Sequence, residues 1–360
     1  MGELRLMKGN EAIAEAAIRA GVDGYYGYPI TPQSEIMEYL MVEKPFERTG
    51  MVVLQAESEV ASINMVYGAA GGGKMTMTSS SSPGISLMQE GISYLAGAEL
   101  PCVIVNVVRG GPGLGTIQPS QADYFQSVKG GGHGDYKLIV LAPASVQDMS
   151  DFLKLGFDLA FKYRTPVLIL SDGVIGQMME KVELFDPIPR LTDEQIKEKY
   201  PWATNGRKKG TERRIITSLN LDPHIQEDFN HHLQAKYKII EQNELRYEEY
   251  MCDDADYLFV AYGSSARICQ KAIQLARAEG IKVGLLRPIT LWPFPYEQIK
   301  AYAKKVKGIM SIEMSAGQMI EDVRLAVEGL VPVKHFGRYG GVISAPDEVF
   351  EALKQFAKGE

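Results

Sequence analysis

The chain has 360 residues, about two domains at the usual ~150 residues each, and its 45% hydrophobic content can fill two cores. With 23% charged and 9% aromatic residues, it is neither disordered nor of low complexity. A formal net charge of −7 argues against a general binder of nucleic acid or of acidic membrane surfaces. The three cysteines, Cys102, Cys252 and Cys269, have no paired spacing. That excludes a disulfide framework, a cysteine zinc site and a four-cysteine iron–sulfur cluster within this chain. No apolar run reaches ~18 residues and no signal-peptide pattern opens the chain, so a soluble, cytoplasmic protein is expected. Glycine is the outlier, at 36 residues against an average near 7%.

In chain order, short apolar runs at 24–28, 51–54, 75–78, 102–108, 138–141 and 167–170 read as strands buried on both faces of a parallel sheet. Between them lie helices with recognisable starts. Asn10 is expected to cap 11–20, Thr31 followed by Pro32 to cap 32–41, Pro83 to open a helix to about 97, and Ser145 to cap 146–162. This alternation predicts an α/β domain with helices on both faces, ending near Asp186. Residues 187–250 are richer in charge, include the basic triplet 207–209, and carry a long polar helix expected over 223–249. They read as a connector or interface arm. Alternation then resumes, with strands at 257–261, 282–286, 309–312 and 332–335 and helices at 265–279, 296–305, 318–328 and 346–357. The expected division is therefore 1–186, 187–250 and 251–360.

Ligands of an open parallel sheet bind beyond the carboxyl ends of its strands. Those ends carry Pro29-Ile-Thr31-Pro, Gln55-Ala-Glu57-Ser-Glu59, Ser79-Ser80-Ser81-Ser-Pro-Gly84, Arg109-Gly-Gly-Pro-Gly-Leu-Gly115 and Ser171-Asp172-Gly173. Hydroxyls, carboxylates, a guanidinium and glycine-rich backbone converge on one edge. Each has a plain alternative. Thr31 is a helix cap or a ligand hydroxyl, and the serine run is a turn or a cradle. Arg109 is a structural ion pair or a bidentate partner for a carboxylate or phosphate. Glu57 and Glu59 are two residues apart, so at most one of them enters a cleft. The loop 111–115 is a weak match to a dinucleotide fingerprint, because Pro112 removes a backbone donor and no helix follows. His133, in the glycine cluster 130–134, is a proton donor or an ordinary loop histidine. No metal-ligand spacing occurs among the five histidines.

Tyr28-Pro-Ile-Thr-Pro32, the Glu59 segment, Thr78-Ser-Ser-Ser-Ser-Pro-Gly84, Arg109-Gly-Gly-Pro and Leu286-Arg-Pro-Ile-Thr-Leu-Trp292-Pro together resemble the α subunit of 2-oxoacid:ferredoxin oxidoreductases. The resemblance runs the length of the chain. The wording at 29–35, 113–123 and 132–135 is most similar to the branched-chain, 2-oxoisovalerate type. It implies a pyrimidine-binding domain of a thiamine-diphosphate enzyme at 1–186 and a smaller transketolase C-terminal-like domain at 251–360. Glu59 then matches the glutamate that contacts N1′ of the aminopyrimidine. Pro29, Ser80 and Ser81 fall in cofactor-binding positions, and Thr31 and Arg109 match the residues that hold the 2-oxoacid. His133 lies in a family-like loop without an assigned role, and no metal ligand is expected.

The implied reaction is oxidative decarboxylation of a 2-oxoacid to acyl-CoA and CO2, with coenzyme A as co-substrate and ferredoxin as electron acceptor. The missing cysteines place the iron–sulfur clusters on partner chains. Thiamine diphosphate is shared with a β subunit that binds its diphosphate and Mg2+, and γ and ferredoxin-like δ subunits complete a hetero-oligomer. Within the family a 2-oxoglutarate or pyruvate version is the alternative. Outside it stand a non-catalytic α/β scaffold and a self-sufficient thiamine enzyme.

Overall fold

The computed structural model describes residues 2–207, 209–210 and 212–359; Lys208 of the basic triplet lies outside them. The first elements are β1 (Glu3–Lys8), α1 (Gly9–Arg19), β2 (Gly24–Gly27), α2 (Ser34–Glu43), α3 (Pro45–Thr49), β3 (Val52–Gln55) and α4 (Glu59–Gly71). They continue as β4 (Thr76–Ser80), α5 (Ser82–Gly97), β5 (Cys102–Val108), α6 (Tyr124–Val128), β6 (Ile139–Leu141), α7 (Val146–Tyr163) and β7 (Pro166–Asp172). Next come α8 (Gly173–Gln177), β8 (Met179–Leu184), α9 (Asp193–Lys199), α10 (Pro223–Asn243), β9 (Tyr247–Tyr250), β10 (Tyr257–Val260) and α11 (Gly263–Ala278). The last are β11 (Val283–Pro288), β12 (Thr290–Trp292), α12 (Tyr296–Ala303), β13 (Gly308–Glu313), α13 (Met319–Val327), β14 (Val333–Gly337) and α14 (Pro346–Ala357).

Three sheets result. A seven-stranded sheet has the order β12-β6-β7-β5-β4-β2-β3, and a five-stranded sheet has the order β14-β13-β10-β11-β9. β1 and β8 form a separate antiparallel ribbon. Every residue of β5 is buried, as its unbroken apolar run demands of a central strand covered on both faces. α7 shows how a helix meets such a sheet. Ser145 Oγ accepts the Asp148 N–H at 3.0 Å, and Met149, Phe152, Leu153, Phe157 and Ala160 make one buried stripe.

Several sequence expectations need correction. Lys8, not Asn10, occupies the cap position of α1, because the strand leading into it runs straight into the helix. Asn10 is instead buried and donates to the Pro32 carbonyl (2.8 Å) and to Glu35 (2.9 Å). Thr31 is not a helix cap. The Thr31–Pro32 peptide is cis, and α2 begins two residues later with Gln33 at its cap. The polar helix stops at Asn243, and Tyr-Glu-Glu-Tyr forms β9, antiparallel to β11. Alternating residues suit an edge strand once a partner is available. The ribbon strands β1 and β8 lie outside the strands expected from the apolar runs. So does β12, which leaves the second sheet's sequence neighbourhood and pairs antiparallel with β6 in the first.

Candidate active site

From β2 the chain crosses to β3 on one side, while β4 lies on the other side of β2. The carboxyl ends of β2 and β4 therefore flank a topological switch point, where a crevice opens in parallel sheets. The loop 28–32 leaves β2 there, and the serine run leaves β4.

Glu59 is the first residue of α4, whose Ser58 cap accepts the Ala61 N–H at 3.2 Å. It is 6% exposed, whereas Glu57 is exposed, so only one of the two carboxylates enters the fold. The Glu59 side chain packs against Gly84. A Cβ on Gly84 would collide with Ser80 Oγ and stand 2.7 Å from a Glu59 carboxylate oxygen. The hydroxyls of Thr78, Ser80 and Ser81 are buried without a hydrogen-bond partner. Buried hydroxyls normally find partners, and Ser80 Oγ is the one that the Gly84 contact places beside the Glu59 carboxylate. Ser79 differs: its Oγ donates to Gln33 Oε1 (2.6 Å) and also lies 2.8 Å from the Tyr25 hydroxyl. Burial pushes the Tyr25 phenol up to about 12, against the hydrogen bond it shares with Ser79, so it stays a neutral hydroxyl.

Arg109 stands one residue past β5 and is buried. Its guanidinium donates to the Thr31 carbonyl (3.0 Å) and to the Leu114 carbonyl (2.8 Å), and its Nε is buried without a partner. Behind it, Ser82 Oγ accepts the Arg109 N–H at 3.1 Å. The Ser82 N–H donates to Asn106 (3.1 Å), and Asn106 donates to Asp123 (2.9 Å). Burial pushes the Asp123 carboxyl above the usual carboxylate range, while the Ser82 and Asn106 hydrogen bonds pull it the other way. Sequence reasoning missed Gln33, Asn106 and Asp123. The signal for Asn106 was present, a polar residue inside an otherwise apolar strand.

Thus Glu59, Ser80, Ser81, Thr31 and Arg109 come to one edge, linked through Gly84 and Ser82. Thr31 is exposed at that edge. Pro29 is exposed beside it and lines a hollow of about 400 Å3 with Met37, Met41 and Gln55. His133 is not among them. It is exposed, on a loop where the Gly132 N–H donates to Tyr136, against Gln89 two turns into α5. Asp172 is turned away as well. It caps α8 through the Val174 and Ile175 N–H groups and accepts the Ser264 hydroxyl at 2.7 Å. Among the described residues no cluster of His, Cys, Asp and Glu has the arrangement of a metal site.

The family model for "Pyruvate flavodoxin/ferredoxin oxidoreductase, thiamine diP-bdg" matches residues 15–251, and that for "Pyruvate:ferredoxin oxidoreductase core domain II" matches 255–349. The chain belongs to the 2-oxoacid:ferredoxin oxidoreductase family. Similar relatives are the ketoisovalerate oxidoreductase subunits VorB of Methanothermobacter marburgensis, 51% identical, and of M. thermautotrophicus, 50% identical. Each match covers 98% of both chains. The 2-oxoglutarate synthase subunit KorA of Archaeoglobus fulgidus is 38% identical over 93% of this chain and 95% of its own. Among solved structures, a 2-oxoglutarate:ferredoxin oxidoreductase from Magnetococcus marinus, with 2-oxoglutarate, coenzyme A and succinyl-CoA bound, superposes with a TM-score of 0.84 at 28% identity. That superposition covers 98% of this chain and 65% of that one. A split-gene transketolase, an inactive β4 tetramer, superposes with a TM-score of 0.59 at 14% identity over 97% of both chains, which shows a shared fold.

This family membership makes the chain an enzyme subunit of the α type, with a thiamine-diphosphate-binding domain at 15–251. The residues present fit such a cofactor. A buried carboxylate at a helix start, the unpartnered Ser80 hydroxyl beside it and a glycine whose Cβ would fill the space between them make a polar cradle. No helix of the described residues is long and apolar enough to cross a membrane.

Proposed function

We propose that this chain is the α subunit of a cytoplasmic branched-chain 2-oxoacid:ferredoxin oxidoreductase and supplies the aminopyrimidine half of its cofactor site. The observation that carries the reading is the meeting of buried Glu59, the free hydroxyls of Ser80 and Ser81, and Arg109 at one switch-point edge. The 50–51% identity to ketoisovalerate oxidoreductase subunits supports the branched-chain substrate. Thiamine diphosphate, when bound, supplies the electron sink for decarboxylation. Glu59 holds a proton at N1′ of the aminopyrimidine, and Ser80, Ser81 and Pro29 line its pocket. Arg109 exchanges a carbonyl partner for the substrate carboxylate, and the Thr31 hydroxyl approaches the oxo group. Fixing the carboxylate orients the C–C bond that breaks as CO2 leaves.

The diphosphate, Mg2+ and iron–sulfur clusters belong on partner β, γ and δ chains, with coenzyme A and ferredoxin as co-substrates. The free edge strand β3 supports a partner on this side. Val52, Leu54, Val60, Met41 and Val42 are exposed together there, and exposed edge strands and apolar patches of this kind are ordinarily covered. In the assembled complex, Glu59→Gln should lower turnover by about a hundredfold without loss of assembly. Arg109→Ala should raise the 2-oxoacid KM by a similar factor, since a charge-assisted pair contributes about 1.5–3 kcal/mol. Unchanged turnover in both would leave a scaffold as the better reading. Preference for 2-oxoglutarate over 2-oxoisovalerate would reassign the substrate. The isolated chain, given thiamine diphosphate and Mg2+, should show no turnover until partner chains are added.

A further inference from the structure

We propose that Gly340 and Gly341, in the loop between β14 and α14, are positioning residues for Arg109, and so tie the second sheet to the grip on the substrate carboxylate. The proposal rests on the reading of Arg109 as the carboxylate anchor. The guanidinium is held on one side by the Leu114 carbonyl, and Leu114 sits in a small closed loop. The Gly110 N–H donates to the Gln118 carbonyl (2.9 Å), the Thr116 N–H donates to the Gly110 carbonyl (2.8 Å), and Arg109 is bridged to Pro119. Gly113 and Gly115 take φ of 69° and 59°, and a Cβ on Gly115 would overlap the Gly110 carbonyl oxygen. These bonds close the loop at its base and across its middle, so the Leu114 carbonyl is tied to the backbone of Gly110 and Thr116. The Leu114 side chain is 80% exposed, so the residue reaches Arg109 through its carbonyl.

This loop rests on the second sheet's last loop at backbone distance. A Cβ on Gly110 would stand 2.9 Å from the Gly340 carbonyl carbon and the Gly341 nitrogen. A Cβ on Gly341 would stand 2.6 Å from Gln118 Cβ and 2.8 Å from Thr116 Cγ2. Thr116 Cγ2 also lies 2.8 Å from the Cβ position of Gly110, so one methyl group is wedged between the two glycines. The supporting loop is itself anchored. Arg338 pairs with Glu348 at the start of α14, and the Ala345 N–H donates to the same carboxylate at 2.8 Å. Bulk added at 341 presses on Gln118 and Thr116 of the loop that carries the Leu114 carbonyl, and through that loop on the guanidinium.

The test is steady-state kinetics and thermal melting of the assembled complex bearing Gly341→Ala, Gly110→Ala, both together, and Arg109→Lys. With 2-oxoisovalerate as substrate, each glycine variant should raise its KM about tenfold, a partial loss of a charge-assisted pair. The KM for coenzyme A should stay near that of the parent, while the melting temperature falls, because Gly341 takes a φ of 95° and a Cβ on Gly110 would meet backbone at 2.9 Å. The double variant should be no worse than the singles, because both act on one contact. Unchanged 2-oxoacid KM in the singles, a rise in both KM values together, or full additivity would overturn the proposal. If Arg109→Lys leaves the KM unchanged, the reading of Arg109 fails instead. Should the alanines prevent assembly, Thr116→Ala removes the wedged methyl without adding bulk. It should raise the 2-oxoacid KM about threefold, and an unchanged value would equally overturn the proposal.

Discussion

Glu15 illustrates how much a single buried charge can demand of its surroundings. Its side chain is fully buried in α1, and Arg48 (2.7 Å) and Arg19 (2.9 Å) converge on it with Arg5 at 3.8 Å. Burial alone would push its carboxyl upward, but the hydrogen bonds from Arg48 and Arg19 outweigh it and hold the group below the ordinary glutamate value of 4.5. A lowered folded pKa means that the stabilisation is present above the unfolded value and is lost as pH falls through the folded one. Glu15→Gln should therefore destabilise the chain by about 3 kcal/mol at neutral pH. The deficit against the parent should shrink below pH 4.5. Denaturant melts over a pH series measure both. The two-residue spacing of Glu57 and Glu59 was legible in the sequence as one carboxylate inside and one outside. Of the Arg–Glu cluster, only the i,i+4 pair of Glu15 and Arg19 is local; Arg48 and Arg5 come from another helix and a strand.

At the scale of elements, the loop leaving β2 is defined by what its carbonyls meet. Gln33 Nε2 donates to the Tyr28 carbonyl (3.0 Å), Asn10 to that of Pro32 (2.8 Å) and Arg109 to that of Thr31 (3.0 Å). With its carbonyls turned inward, the loop leaves the Thr31 side chain at the crevice. Gln33 is buried and also accepts the Ser79 hydroxyl, so Gln33→Leu removes two hydrogen bonds at nearly constant volume. A loss of about 2 kcal/mol is expected, together with a higher 2-oxoacid KM, read from denaturant melts and kinetics on the complex. The motif at 28–32 was visible as a motif. Its architecture was not, since helix-start chemistry suggested a cap at Thr31 where the chain makes a cis turn.

Across the whole molecule, the two sheets are joined by polar clamps rather than by apolar contact alone. Arg287 of β11 pairs with Asp148 of α7 and with Glu248 of β9 (2.7 Å). Gln121 donates to the Tyr262 carbonyl (2.9 Å) and accepts from Ser265 (2.7 Å) and the Met314 N–H (2.9 Å). Arg287 is 8% exposed, and Arg287→Met should cost about 3 kcal/mol by leaving Asp148 without its guanidinium. Denaturation of the purified chain in a Trp202→Phe background, followed by Trp292 fluorescence, checks this, because Trp292 lies in β12 where the second half of the chain completes the first sheet.

The sequence by itself determined the parallel α/β architecture, most of the strands, and which loops carry hydroxyls, carboxylates and the guanidinium. Those are written in local periodicity and in the residues at the carboxyl end of each apolar run. Only the tertiary structure decided that β2 and β4 flank the switch point, that β12 joins the first sheet, and that Asp172 serves a helix start rather than the crevice. It also decided where the glycine excess acts: at Gly110 and Gly341 two backbones meet that are 231 residues apart. Strand order and backbone-to-backbone contact depend on which distant segments come together, and no local pattern encodes that.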